Sequence, residues 1–190
     1  MDLVDWNKWL FDLDEAKEKA RLIHKPIMLQ FHRTPCSGCK KLYSFTYHDP
    51  HVSKELYEWF LPVRLDILIE HRIRSTYSAV WTPSFYWVDH RGKLYYSFLG
   101  YLNPEDFRIM MRIALAFWLI PHGKYNEAID ILNDGLDLFP DNVLASRLML
   151  YRGMAKYLKT WDNKVFRAEV SEIREKYPDS LEARMWPWED

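Results

Sequence analysis

Lys25-Pro26-Ile27-Met28-Leu29-Gln30-Phe31-His32-Arg33-Thr34-Pro35-Cys36-Ser37-Gly38-Cys39-Lys40-Lys41-Leu42 is the stretch on which the fold turns. Its first half, Pro26 to His32, is short, mostly apolar and bounded by Pro26 and Pro35, the pattern of a buried strand. That strand delivers the chain directly to Cys36. The second half carries both cysteines of the chain, two residues apart, and the spacing of Leu42 and Phe45 continues it as a helix. A strand feeding a helix that opens with C-x-x-C places two thiols at one helix end.

Upstream, Asp12 or Asp14 can cap a helix running through Ala16, Ala20 and Ile23 to a stop before Pro26. Downstream, Asp49-Pro50 starts a helix whose apolar face is Val52, Leu56, Trp59 and Phe60, and Leu61 to Ile67 reads as a second strand. Glu70 to Tyr77 is a short helix. Thr82-Pro83 then opens the strand Ser84 to Val88, turned by Asp89-His90-Arg91-Gly92 into an antiparallel return over Lys93 to Leu99. Asn103-Pro104-Glu105 combines an N-cap, a first-turn proline and an acid at the positive helix end, so a long helix spans Pro104 to Leu119. This order implies a right-handed parallel crossover joined to an antiparallel pair.

The 190 residues hold 26 basic and 27 acidic side chains, a balance that gives no global argument for nucleic acid or an anionic membrane surface. The longest uninterrupted apolar run, Ile113 to Ile120, is far short of the roughly 18 residues a bilayer span requires. Met1-Asp2-Leu3-Val4-Asp5-Trp6 has neither the basic start nor the apolar run of a secretory signal, so the expected compartment is the cytoplasm. Two cysteines spaced C-x-x-C there read as redox or metal chemistry rather than a disulfide framework. A metal would need two further ligands, and His32, His48 and His51 lack the paired spacing of a zinc motif. No metal or other cofactor is expected.

Two residues between cysteines on a first helical turn put both sulfurs on one side, close enough to bridge reversibly. At the helix N-terminus the unpaired amides and the dipole favour a thiolate on Cys36. The effect matters because a thiol of pKa about 8.5 is roughly 3% ionised at pH 7, and one of pKa about 7 is half ionised. Cys36 is therefore read as the nucleophile. Cys39, one turn deeper, is read as the resolving thiol that attacks the mixed disulfide. Trp81 stands where its side chain either lines the groove around the cysteines or packs in the core.

The strand, Cys36-Ser37-Gly38-Cys39-Lys40-Lys41-Leu42, Asp49-Pro50 and Val63-Arg64-Leu65-Asp66 together resemble the thioredoxin superfamily over roughly residues 6 to 120. The resemblance implies a thioredoxin-like mixed sheet flanked by helices, an α/β fold. It also implies a cis-proline at Pro83 facing the cysteines, with Thr82 offering backbone hydrogen bonds to an extended substrate. Three departures stand out. Pro35 replaces a tryptophan before the first cysteine, Ser37-Gly38 replaces Gly-Pro, and Gln30 stands where the family has a buried aspartate that assists the second thiol. Gln30 is no base. Strand alternation puts His32 on the same face, which leaves two readings of it: a proton-transfer group, or a histidine hydrogen-bonded at the strand end.

From Gly123 onward only helix-period patterns occur, which predicts two domains, 1–121 and 122–190, the second an all-α helical-repeat extension. Phe139-Pro140-Asp141-Asn142 is echoed 38 residues later by Tyr177-Pro178-Asp179-Ser180. Gly123, Tyr125, Ala128 and Pro140 resemble the second helix of a tetratricopeptide repeat, with Pro104 to Leu119 as its first helix. Leu144 to Leu158 and Val165 to Tyr177 would form the next pair. Met185-Trp186-Pro187-Trp188 reads as a cover for an apolar surface or a partner site. The expected function is reduction or exchange of protein disulfides through Cys36 and Cys39, with Trp81, Thr82 and Pro83 at the substrate and a dedicated client on the extension. The alternative is a non-catalytic adaptor or redox sensor using the helical repeats.

Overall fold

The computed structural model describes residues 4–187. Met1–Leu3 of the N-terminal reading, and Trp188 of the C-terminal one, lie outside them. Chain contacts divide the protein into two compact units, Met1–Arg108 and Ile109–Asp190.

In the first unit, a 3-10 turn over Trp6–Lys8 precedes α1 (Leu13–Ile23), capped by Asp12, whose side chain accepts from the Glu15 amide at 2.8 Å. The buried face of α1 is Leu13, Ala16 and Ala20, whereas Ile23 is half exposed. Next come β1 (Ile27–His32), α2 (Ser37–Ser44), a 3-10 turn over Thr46–His48, α3 (Pro50–Trp59), β2 (Leu61–Asp66), α4 (His71–Thr76), β3 (Ser84–Val88) and β4 (Leu94–Leu99). Asp49 caps α3, accepting from His51 and Val52 amides at 2.8 and 3.0 Å, with Pro50 in the first turn. Asp89 ties the β3–β4 turn by accepting from the Arg91 and Lys93 amides.

The four strands lie in the order β2-β1-β3-β4. β1 runs parallel to β2 and antiparallel to β3, and β3 is antiparallel to β4. This is the mixed sheet expected from the strand order. One face packs Ile27, Leu29, Phe31, Val63, Leu65, Tyr86 and Val88 with the apolar stripe of α1. Residues of opposite parity, among them Met28, Gln30, Phe85 and Trp87, point the other way and are also fully buried. A feature absent from the sequence reading is the parallel bridge from Leu10 to Val63, which covers part of the β2 edge.

α5 (Pro104–Leu119) begins at the Asn103 cap, which accepts from the Asp106 amide at 2.9 Å and donates to its carboxylate at 2.7 Å. The division between the units falls within α5. A 3-10 turn over Ile120–His122 follows, then α6 (Tyr125–Leu138), α7 (Ala145–Thr160), α8 (Asn163–Lys176) and the single turn α9 (Leu181–Arg184). The second unit is thus wholly helical over its described residues. α6 packs on α7 and α7 on α8. Gly135 permits the first contact, since a Cβ there would sit 2.9 Å from both Arg112 Cδ and Leu148 Cδ1. Trp186 meets Phe166 edge-on at 4.9 Å and joins the cluster of Met149, Leu150, Ile173 and Ala183, covering apolar surface as one of the two readings held. Among the described residues no helix is long and apolar enough to cross a membrane.

Candidate active site

β1 ends at His32, and the chain turns through Thr34 and Pro35 into α2, for which Cys36 is itself the N-cap residue. The Cys36 sulfur takes the role a serine or aspartate oxygen usually plays, accepting from the Cys39 amide at 3.2 Å. Both thiols are free, Cys36 half-buried and Cys39 buried. The Thr82–Pro83 peptide is cis, as the resemblance implied, and Thr34–Pro35 is cis as well. Thr82 faces Cys36 twice: its hydroxyl donates to the sulfur, and its carbonyl accepts from the thiol, each at 3.5 Å. Pro83 lies so near α2 that a Cβ on Gly38 would be 2.8 Å from Pro83 Cδ. Gly38 is what lets the proline approach.

The two thiols have opposite acidities. Burial works against a charge on Cys36, yet hydrogen bonds from the Cys39 thiol, the Thr82 hydroxyl and the backbone at Cys39 and Gly38 overcome it and hold its pKa below the usual thiol value. For Cys39, burial comes first, followed by the hydrogen bond it makes to Cys36, and its pKa is pushed up to about 12. At pH 7 the Cys39 thiol is therefore almost wholly protonated. The more accessible thiol is thus the more acidic one, and the buried thiol the less acidic.

Behind the cysteines, Gln30 is fully buried and bound to two tyrosines, donating to the Tyr43 hydroxyl at 3.2 Å and accepting from the Tyr47 hydroxyl at 2.7 Å. Tyr43 follows Cys39 by one helical turn and so shares its face of α2. Arg64, in register with Gln30, lies over the rings of Trp6, Phe11 and Tyr43 at 4.1, 5.2 and 5.5 Å. None of these contacts entered the sequence reading; the i,i+4 spacing of Cys39 and Tyr43 was the one available signal. His32 is half-buried, and its pKa is lowered by burial first and by Arg64 second, with Asp66 opposing. Its imidazole is therefore neutral at pH 7.

Cys36, Trp81, Thr82 and Pro83 line one groove of about 690 Å³, together with Arg33 and Arg74. Trp81 takes the groove position rather than the core and is 67% exposed. Among the described residues no group of three or more His, Cys, Asp or Glu is arranged to hold a metal ion.

Comparison with known proteins bears on this arrangement. A thioredoxin from Thermus thermophilus, in solution, is 23% identical, with a TM-score of 0.51 over 60% of this chain and 87% of that one. The oxidised C-terminal domain of Neisseria meningitidis DsbD is 24% identical, with a TM-score of 0.45 over 52% of this chain and 92% of that one. A thioredoxin-fold protein from Helicobacter pylori is 17% identical, with a TM-score of 0.46 over 83% and 94% of the two chains. No curated protein matches in sequence. The Thermus likeness is one of fold. The family described as the thioredoxin-like domain, however, matches residues 13–114, more than half of the 190 residues and all four strands with the C-x-x-C helix, and the chain belongs to that family.

Proposed function

We propose that the protein is a thiol–disulfide oxidoreductase that reduces or exchanges protein disulfides. The observation that carries this reading is the unequal pair: a half-exposed Cys36 with lowered pKa at a helix N-terminus, and a buried Cys39 with raised pKa one turn below. The Cys36 thiolate attacks one sulfur of a substrate disulfide, the substrate S–S bond breaks, and the departing thiolate takes up a proton. Cys39 then loses its proton and attacks the Cys36 sulfur. The mixed disulfide breaks, the second substrate thiol leaves, and the Cys36–Cys39 disulfide remains, two electrons having passed to the substrate. An external dithiol returns the pair to the reduced state. Thr82, beside Cys36, offers an extended substrate main-chain hydrogen bonds.

Replacing Cys36 with serine should abolish reduction of a small protein disulfide; retained turnover ends the reading. Cys39→Ser should instead accumulate a covalent complex with the substrate. Proton acceptance from Cys39 is assigned to His32, whose neutral imidazole lies on the β1 face that carries Gln30. His32→Gln should slow release of the mixed disulfide, and unchanged release removes that role.

The helical unit is read as tetratricopeptide-like and as the seat of a dedicated client, a reading supported by three successive helices each packed on the next. Crosslinks within the trapped Cys39→Ser complex should then map client contacts to residues 109–187. Contacts confined to the groove overturn it. A dithiol in a chain with no structural disulfide suits a reducing compartment, and the cytoplasm is proposed on that ground.

A further inference from the structure

The groove beside Cys36 is unbalanced in charge. Arg33, from the turn after β1, and Arg74, from α4, line it, and no aspartate or glutamate does. In a chain with 26 basic and 27 acidic side chains, arginines have carboxylates to find, and Arg108, Arg112, Arg147 and Arg152 are each paired with one. Among the described residues neither Arg33 nor Arg74 has a carboxylate within 4.0 Å. Arg74 is half-buried, and its Nη1 donates to the Ile67 carbonyl at 3.5 Å, which fixes the cation at the groove wall. The wall also carries open apolar side chains: Val80 is 74% and Trp81 67% exposed.

A substrate sulfur must reach Cys36, and a substrate that enters through this groove brings the residues flanking its cysteine to this wall. A cleft lined by one sign of charge attracts the other, and apolar side chains exposed beside it favour an apolar partner. We propose that the groove selects polypeptide segments whose disulfide-bonded cysteine has an acidic residue on one side and an apolar residue on the other. The carboxylate meets Arg33 and Arg74, and the apolar side chain packs on Val80 and Trp81. This rests on the thiol–disulfide reading above.

The test uses two synthetic disulfide-linked peptides, identical except that glutamate in one is lysine in the other beside the cysteine. The full-length protein should reduce the acidic peptide with a kcat/KM higher by about fivefold or more at low salt, the scale of an exposed ion pair or two. The preference should shrink towards unity near 0.5 M salt, where the screening length falls to a few ångströms (~4 Å). Arg33→Glu with Arg74→Glu should reverse it. Because the readout is a ratio within one protein, a loss of folded protein lowers both rates and leaves the ratio intact. Equal rates, or a preference that survives high salt or the double substitution, overturns the proposal while the oxidoreductase reading stands. No turnover of either peptide or of hydroxyethyl disulfide overturns both.

Discussion

Alanine at Gly38 would press its Cβ to 2.8 Å from Pro83 Cδ and 3.6 Å from Tyr101 Cβ, so either α2 or the proline must move. Gly38→Ala should cost about 1–3 kcal/mol in denaturant unfolding, as overpacking does, and should lower turnover by displacing Pro83 from Cys36. Alkylation of Cys36 should inflect at lower pH than that of an unperturbed thiol. Cys39 in a Cys36→Ala variant should inflect above it, because burial, its leading cause, persists. Gln30→Ala would take the acceptor from the buried Tyr47 hydroxyl, at about 1–3 kcal/mol. The placement of the two cysteines was legible because it depends on a local helix end. The grip of Gln30 on Tyr43 and Tyr47 was not, since it depends on where α2 and the following 3-10 turn settle over β1. From the sequence, Gln30 could be read only as a missing acid.

At the scale of elements, the caps carried the reading. Asn103 and Pro104 marked the start of α5, and Asn103→Ala should remove about 1 kcal/mol by freeing the Asp106 amide. The strand edges of β3 were equally legible, since Pro83 and the Asp89 turn bound five buried residues. What escaped was pairing that local pattern does not encode: Leu10 on Val63, and Arg64 under Trp6. The helical unit shows the same limit. Its helices were expected from periodicity, but the carboxylate that ties them was not: Glu169 of α8 is buried and accepts from Arg152 and Lys156 of α7, while Arg152 reaches Asn133 of α6 at 3.0 Å. Glu169→Ala should destabilise this unit by about 1–3 kcal/mol, because it removes the buried carboxylate from Lys156 and leaves Arg152 only the longer pair with Glu172 at 3.6 Å and its bond to Asn133. The measurement is loss of helical circular dichroism with temperature.

For the whole molecule, alkaline pH is the informative variable. The pKa of Cys39 is raised by folding to about 12 against about 8.5 unfolded, so its contribution is complete below pH 8.5 and is lost as pH climbs towards 12. Stability of the reduced protein should fall above pH 8.5 by up to about 1.4 kcal/mol per pH unit from this one proton. Cys39→Ala should show a correspondingly shallower decline in denaturant midpoints between pH 8 and 11. The strand order and the C-x-x-C helix were readable because both lie in consecutive sequence. The charge of the groove was not, since its walls come from five separated segments, around Arg33, Ile67, Arg74, Val80 and Tyr101, and that charge exists only once they meet. A last consequence follows from having two thiols of such unequal access and no third anywhere in the chain. A first thiol adduct on the folded protein is expected at Cys36, and a chain without an adduct holds either two thiols or none. Intact mass therefore reads the redox history of a sample directly, two hydrogens separating its two forms, and a trapped partner weighs in at one copy per chain.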